Sequence, residues 1–335
     1  MRVTFFTASL ALAALAFSPV TVSAQSFGGI GGSGEPFDVS VDPQFPLPYA
    51  SATLSFTSAT INLPNATLKV GVNGKDIYTG NVRPVSVPLG RAGSVASVLA
   101  TITLNGDVAS RTVSIQPQGV TLIAEPAASA PPLYQGRPAV PIGGNVRVVA
   151  AADLRDAAGA RLDPSVCSYA WTIDGARIDA ASGIGKNTII VAAPFQYRSR
   201  SVSVTVSNRD GSLRGGATVS LVPEQPVMRI YRYDPLLGIL FDHALSGSYA
   251  IQGAEDTLYA APFFLPTTSA LPMIRWSLNK TVEQTGKTIT LRPSGEGQGS
   301  TLLSAVASVS STLKTSADLS ISFGTRPGGL NLFGL

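Results

Sequence analysis

The sequence is poor in charged residues and holds a single histidine and a single cysteine. Charged residues make up 13% of the 335-residue chain, which is about half the usual share. One histidine and one cysteine are too few for an ordinary structural zinc site. The net charge is +4, but no block of Lys and Arg and no basic-aromatic stripe supports nucleic-acid binding. A weak attraction to anionic polymers of a cell envelope stays open.

The lone cysteine, Cys167, excludes an intramolecular disulfide, so any domains depend on their hydrophobic cores. Its position before Trp171 on one strand face predicts a small buried hydrophobic residue. The alternative is a reactive or intermolecular thiol.

Residues 1–24 are predicted to be a signal peptide. Arg2 supplies the positive start, Phe5–Phe17 is the apolar stretch, and Val22-Ser23-Ala24 offers small residues for cleavage. No cysteine follows this stretch, so a lipoprotein is not expected, and a retained N-terminal anchor is the alternative. The mature chain is predicted to start near Gln25 and to be secreted, periplasmic or at the cell surface. Contact with a membrane is expected only through the signal segment, if it is uncleaved.

Glycine and proline are abundant, and Val, Ser and Thr recur in short alternating runs, a pattern typical of strands and turns. The early GxGxxG at Gly29, Gly31 and Gly34 is interpreted as linker. A dinucleotide fingerprint needs a strand before it and a helix after it, whereas Pro36 follows here.

One short pattern occurs three times. The repeated segments are LKVGVNG (Leu68–Gly74), YAWTIDG (Tyr169–Gly175) and IRWSLNK (Ile274–Lys280). Alternate side chains of a strand share one face, so Val70, Trp171 and Trp276 are predicted at the centres of equivalent cores. An Asn or Asp three residues later begins a turn.

Similar strands surround each of these segments, and Asn105-Gly106 and Asp210-Gly211 are the strongest hairpin signals. Roughly seven short strands per hundred residues is the pattern of an immunoglobulin-like sandwich. The predicted fold class is therefore all-β, with three tandem immunoglobulin-like sandwiches after the signal peptide.

The second repeat resembles PKD-type and other bacterial immunoglobulin-like domains through Y-x-W-x-x-x-G at Tyr169–Gly175 and the V-x-V-x-V that follows. The resemblance covers most of the mature chain as three copies. Val70 replaces Trp in the first copy, and Lys280 replaces Gly in the third. The whole chain also resembles a group of exported three-domain proteins of small-genome bacteria, which implies surface location and domain order. The cues are SGIGKN (Ser182–Asn187), YDPLLGILFDHAL (Tyr233–Leu245) and ISFG (Ile321–Gly324).

The closing strands set the predicted domain boundaries, because Pro117 and Pro223 cannot continue a ladder. The segments are a signal peptide (1–24), a Gly-rich lead-in (25–36), immunoglobulin-like domains (37–117, 118–223 and 224–324) and an apolar Gly-rich tail (325–335). Short linkers predict a semi-rigid rod. The Pro-rich Ala124–Gly144 is predicted to be a crossing loop inside the second domain.

No catalytic, cofactor-binding or metal-binding residue is predicted. His243 beside Asp242 has no G-x-S-x-G near Ser246, so a structural histidine in a loop or partly buried is expected. SGIGKNT fails as a phosphate loop at Ala180 and Asn187. Calcium at domain junctions stays an alternative, although the acids lack D-x-D-x-D-G spacing. The candidate acids are Asp153, Asp156, Asp174, Asp234, Asp242, Glu255 and Asp256.

Partner binding is predicted at two apolar places. Phe263 and Phe264 lie in PFFLP and point to opposite faces if that segment is extended, which exposes one of them. The residues Leu330, Leu332 and Phe333 of the tail are predicted to dock into a partner by adding a strand or filling a groove. A frayed terminus is the alternative for the tail.

The leading functional hypothesis is a non-enzymatic surface or envelope protein, a rod for adhesion or protein–protein interaction, accessory to a pilus or export system. The expected partner is an envelope protein, a surface protein or a polysaccharide. The alternatives are a polysaccharide-binding accessory module of a hydrolase system and a structural envelope subunit that assembles through the tail.

Overall fold

The computed structural model describes residues 36–251, 253–267, 271–294 and 297–324, which are almost entirely strands, turns and loops. The predicted signal peptide, the lead-in up to residue 35 and the tail lie outside the described residues and stay predictions. In the described part of the chain, no helix has the length and apolar character needed to cross a bilayer. The 3-10 helices are Leu63–Asn65, Pro164–Val166 and Asp179–Ala181.

The chain separates into two compact units, the first comprising residues up to Gln44, Ala52–Val87 and Ser97–Ile115. Its strands are β1 (Asp38–Asp42), β2 (Ser51–Thr57), β3 (Thr67–Val72), β4 (Lys75–Asn81), β5 (Val85–Pro88), β6 (Ala96–Leu104) and β7 (Asp107–Ile115). They form sheets with the orders β1-β2-β5 and β4-β3-β6-β7. Each sheet supplies fully buried residues, such as Leu54 and Ile102.

The second unit comprises Phe45–Ser51, Pro88–Ala96 and the described residues from Gln116 onward. Its first strands are β8 (Gly119–Pro126), β9 (Val140–Pro141), β10 (Asn145–Asp153), β11 (Ser168–Ile173), β12 (Ala176–Arg177), β13 (Gly183–Ile184), β14 (Thr188–Ala192), β15 (Arg200–Ser207), β16 (Arg214–Leu221) and β17 (Pro223–Glu224). The sheets β14-β10-β8 and β12-β11-β15-β16 enclose a core around Val148 and Trp171. β9 runs parallel to β17.

A second core in this unit lies between the sheets β19-β18-β21-β24 and β20-β26-β25-β22-β23. The strands are β18 (Val227–Asp234), β19 (Gly238–Leu245), β20 (Gly247–Ala250), β21 (Asp256–Phe263), β22 (Met273–Leu278), β23 (Thr281–Thr285), β24 (Thr288–Leu291), β25 (Gly299–Ser308) and β26 (Lys314–Phe323). Ile230 and Leu303 reach this core from opposite sheets, and Trp276 is buried in the same core.

The predicted equivalence of the three repeats is confirmed at their central strands. Val70, Trp171 and Trp276 are each fully buried. Each indole N–H donates to a backbone carbonyl, from Trp171 to Lys186 O at 2.8 Å and from Trp276 to Gly286 O at 2.9 Å. A buried indole needs such a partner, because an unmade hydrogen bond in an apolar core is costly.

The turn after each central strand also repeats in detail. The strands on either side pair directly across a two-residue loop, which places positive φ at both loop positions. The side-chain oxygen of the first loop residue accepts a hydrogen bond from a neighbouring strand. Asn73 accepts from Ser97 N at 2.9 Å, Asp174 from Ser201 N at 2.8 Å, and Asn279 from Leu302 N at 3.0 Å.

The predicted all-β class is confirmed, and the chain is a tandem array of immunoglobulin-like sandwiches. The number of three domains, their boundaries and the rod arrangement stay predictions. Several strands were not predicted. Those that follow the central turns are β4, β12 and β23, and the third repeat adds β19 and β20.

Candidate binding surface

The Pro-rich segment predicted as a loop of the second repeat bonds to the end of β21 in the third. Ser129 N donates to Leu265 O at 2.7 Å, and Phe264 N donates back to Ser129 O at 2.8 Å. Leu265 N also donates to the Ser129 hydroxyl at 3.0 Å, and Thr267 N donates to Ala127 O at 3.0 Å. Leu265 itself is fully buried. This clamp holds the residues that follow Ser129 against the third repeat, so the segment is more than a crossing loop.

Just beyond the clamp, aromatic residues of both repeats meet. The Tyr134 and Phe263 rings are 5.5 Å apart in an edge-to-face arrangement, and Phe263 and Phe264 are 5.8 Å apart. Gly136 lies against the Tyr134 ring, where a Cβ atom would come within 2.6 Å of it. Edge-to-face pairs stabilise such clusters beyond the area they bury.

The cluster continues across the side of the β19-β18-β21-β24 sheet that faces away from its core. Tyr231, Tyr259 and Ala261 form a small second cluster, against which Phe263 packs. Phe241 meets Tyr231 edge to face, with the ring centroids 5.1 Å apart. Burial raises the pKa of the Tyr259 phenol above its ordinary value. The aromatic surface, as used below, comprises the exposed or half-buried residues Leu133, Tyr134, Phe241, Phe263 and Phe264, and the buried Tyr231 and Tyr259 support it.

Two residues of this surface have left-handed backbone conformations that bulky side chains avoid. Leu133 has φ of +62° with 90% of its surface exposed, and Phe264 has φ of +64°. Such a conformation costs a side chain about 1–2 kcal/mol relative to the ordinary helical or extended regions. Asn and Gly adopt it far more readily. The chain thus tolerates strain at two positions where apolar side chains are presented.

Phe263 and Phe264 were predicted to point to opposite faces if their segment is extended, and the segment is not extended at Phe264. β21 ends at Phe263, and the positive φ of Phe264 turns the chain so that the two rings contact each other. Both are half-buried. Their role as partner-binding residues stays a prediction. The tail residues Leu330, Leu332 and Phe333 lie outside the described residues.

The other residues considered from the sequence have ordinary positions. Both tryptophans are core residues, and Cys167 is buried, as predicted. Burial raises the pKa of the Cys167 thiol. His243 is exposed on the strand β19, so the prediction of a histidine in a loop or partly buried is wrong. Gly183 and Gly185 have positive φ, in keeping with turns before β14.

Six of the seven acids considered for calcium, all except Asp242, make structural contacts. Asp156 accepts from Ala160 N at 2.9 Å, and Asp174 pairs with Arg200 at 3.1 Å. Asp234 accepts from two backbone N–H groups of its turn, which lowers the pKa of its carboxyl. Within the described ranges, no group of three or more His, Cys, Asp or Glu residues is placed to hold a metal ion.

No family model matches the sequence, and no curated protein matches it. The solved structures similar to the chain include arrays of immunoglobulin and fibronectin type III domains. Sidekick-1 immunoglobulin domains 1–5 are 11% identical over 84% of this chain, with a TM-score of 0.32. The chain spans 57% of the length of that neighbour.

Two further solved structures are among those similar to the chain. The central fibronectin III array of RIM-binding protein is 9% identical over 89% of this chain and 100% of its own, with a TM-score of 0.28. SGBP-B of Bacteroides ovatus, in complex with a mixed-linkage heptasaccharide, is 11% identical over 91% of this chain and 78% of its own length, with a TM-score of 0.22. The resemblance to exported proteins of small-genome bacteria has no support among the comparisons.

Proposed function

We propose that this protein is a non-enzymatic, exported surface or envelope protein whose immunoglobulin-like sandwiches bind a partner protein through the aromatic surface. The carrying observation is that the clamp at Ser129 brings Tyr134 and Phe263 together, with the strained Leu133 and Phe264 next to them in the chain. Leu133 is almost fully exposed, so burial of its side chain does not offset the free-energy cost of its strained backbone. Backbone strain that the fold does not require is typical of binding sites.

A protein is the partner that the surface chemistry fits best. Tyr and Phe are enriched in protein interfaces, where rigid rings bury much area at little cost in conformational entropy. Leu133 and Pro132 extend the aromatic surface with purely apolar groups, which suit a protein pocket better than the hydroxyl-rich face of a sugar. The clamp at Ser129 fixes the surface before binding, and such preorganisation strengthens association. Adhesion, or an accessory role in a pilus or export system, would use this kind of contact.

The test removes the apolar side chains while relieving the strain. Leu133→Asn combined with Phe264→Asn keeps the left-handed backbone, because Asn tolerates positive φ. The double variant is expected to stay folded, because the relief of strain at both positions offsets the packing that is lost at the half-buried Phe264. Beads carrying the chain from Gln25 onward are incubated with envelope proteins of the producing cells, and retained proteins are identified by mass spectrometry. A specific partner is expected on wild-type beads and at least tenfold less of it on the double variant.

Tyr197→Asn is the matched control, since Tyr197 has φ of +62° and is 91% exposed in the β14–β15 loop. It is expected to retain the partner. Equal retention by the double variant and wild type would refute the role of the aromatic surface. Polysaccharide binding is the second candidate, supported by the exposed part of the Tyr134 ring. Wild-type binding to envelope polysaccharides, lost in the double variant, would assign the surface to that ligand instead.

A further inference from the structure

Each repeat leaves its first strand through a connection in which a proline precedes an exposed leucine. The three pairs are Pro46-Leu47 after β1, Pro132-Leu133 after β8 and Pro235-Leu236 after β18. The exposed fractions of these leucines are 48%, 90% and 94%, in chain order. Single exposed leucines are common on protein surfaces, but their recurrence in the same connection of every repeat indicates a shared use.

The connections after β1 and β8 pack against the repeat that comes next in the chain. The ring of Phe45, three residues after β1, lies where a Cβ atom on Gly216 would be, near the start of β16. Phe45 and Gly216 both belong to the second unit. After β8, the clamp at Ser129 places the Tyr134 ring 5.5 Å from the Phe263 ring of the third repeat. The connection after the first strand is therefore used to contact another sandwich.

The same connection in the third repeat is held in place and exposed. Leu237 lies three residues after β18, the spacing of Phe45 after β1, and 77% of its surface is exposed. The Asp234 carboxylate accepts hydrogen bonds from Leu236 N at 2.8 Å and Leu237 N at 2.9 Å. Gly238 has φ of +78° and returns the chain into β19. Leu236 and Leu237 thus form a fixed apolar turn, called the leucine turn below.

The start of β7 in the first repeat matches the strand start that receives Phe45 in the second repeat. The β6–β7 and β15–β16 hairpins each hold one pair of hydroxyl groups hydrogen-bonded across the strands: Thr101 with Ser110 at 3.0 Å, and Ser203 with Thr218 at 2.9 Å. Gly216 lies two residues before the hydroxyl of β16, and Val108 lies two residues before the hydroxyl of β7. Alternate residues of a strand share one face, so Val108 and Gly216 hold the same position on the same outward face. Val108 is 65% exposed.

We propose that the leucine turn of one copy packs against Val108 at the start of β7 in a second copy. A second copy is the occupant that the repeats favour, since each chain presents one exposed turn and one exposed strand start of the types that meet inside the second unit. The contact joins two different patches, so its repetition extends a row of copies unless the rotation closes it into a ring. The groups in contact are apolar and few, so the association is expected to be weak and insensitive to salt.

Sedimentation velocity of the chain from Gln25 onward tests the proposal at concentrations from about 10 μM to about 1 mM, the range of weak association. Wild type is expected to gain mass with concentration, both at low salt and in about 1 M NaCl, where charges are screened beyond about 3 Å. Leu236→Ser/Leu237→Ser is expected to associate at least tenfold more weakly. Leu271→Ser is the matched control, because Leu271 is 80% exposed just before β22, and it is expected to behave as wild type.

Val108→Glu tests the strand start by placing a charge in the apolar contact, and it is also expected to associate at least tenfold more weakly. An equimolar mixture of this variant with the Leu236→Ser/Leu237→Ser variant is expected to form dimers and nothing larger, since the mixture offers one competent turn and one competent strand start. Leu133→Asn/Phe264→Asn is expected to leave self-association unchanged, which separates this contact from the aromatic surface.

Crosslinking between copies locates the contact. Leu236→Cys chains mixed with Val108→Cys chains are expected to form a covalent dimer with a short bismaleimide. Leu271→Cys mixed with Val108→Cys is the control pair and is expected to give at least tenfold less. The native Cys167 does not compete for the reagent, because its thiol is 1% exposed. Equal yields from the two pairs would contradict the assigned contact.

Three further results would overturn the proposal. One is a wild type that stays monomeric throughout, and binding of that monomer to phosphatidylglycerol vesicles would assign the leucine turn to a membrane. The second is a Leu236→Ser/Leu237→Ser variant that associates as strongly as wild type. The third is loss of association on deleting residues 328–335, which would place the contact in the tail.

Discussion

Lys280→Gly is expected to stabilise the third repeat, because Lys280 holds a backbone conformation suited to glycine. The second turn residue has φ of +81° at Gly74, +82° at Gly175 and +74° at Lys280. The third repeat thus makes the same turn as the other two without the glycine. Lys280 is exposed, so its removal sacrifices little packing.

The expected gain is about 0.5–1 kcal/mol in the free energy of unfolding. The left-handed conformation costs a residue with a side chain about 1–2 kcal/mol. Glycine avoids this cost, but its greater freedom in the unfolded chain lowers the stability of the variant by about 0.5–1 kcal/mol. The reverse changes, Gly74→Lys and Gly175→Lys, are expected to destabilise by a similar amount. A Cβ atom at either glycine meets no heavy atom within 4 Å, so steric clash adds nothing.

Urea unfolding followed by the fluorescence of Trp276, in a Trp171→Phe background, measures the third repeat. Lys280→Gly should raise the midpoint without changing the slope, which indicates a pure change in stability. Lys280→Ala is the control, since it removes the charge but keeps a Cβ atom in the strained conformation. Equal stabilisation by both variants would refute backbone strain as the cause, as would a glycine variant no more stable than wild type.

Three further outcomes are expected. Trp276→Phe removes the hydrogen bond to Gly286 O from a fully buried site. It should lower the free energy of unfolding, measured in urea, by about 2–3 kcal/mol. A loss below about 1 kcal/mol would contradict this expectation. Burial, and then the hydrogen bond to Asp256, raises the pKa of Tyr249 from 10.0 to about 12. The protonated phenol therefore contributes its full stability below pH 10, and this contribution is lost as the pH rises towards 12. Tyr249→Phe should make the urea midpoint fall less steeply with pH in this range. A variant whose midpoint falls as steeply as that of wild type would exclude Tyr249 as the cause. Deleting residues 328–335 should abolish partner capture without changing the melting temperature if the tail binds the partner, and unchanged capture would exclude it.

The elements that could be predicted from the sequence are those with local, periodic signals. The alternation around Trp171 and Trp276 identified the core strands, and the Asx residue after each gave the turns. The strands β4 and β12 were not predicted because they are mostly exposed, which leaves little hydrophobic alternation to detect. Their pairing depends on the turn that precedes them rather than on an apolar face of their own.

The aromatic surface was predicted in part, because Phe263 and Phe264 stood out as adjacent apolar residues. Tyr134 and Leu133 were missed, since they lie far away in the sequence in a Pro-rich segment that looked like a loop. The one available signal was Pro131-Pro132 directly before two large apolar residues. Contacts of this kind arise from long-range clamping at Ser129, which no local pattern encodes.

Alkylation of Cys167 measures how often the hydrophobic core around Trp171 opens. The thiol is 1% exposed in the core that contains Trp171, and burial raises its pKa, so an alkylating reagent finds it protonated and shielded. Its rate of labelling then reports how often this core opens, without any engineered probe. Because no second cysteine competes for the reagent, each modified molecule counts a single event.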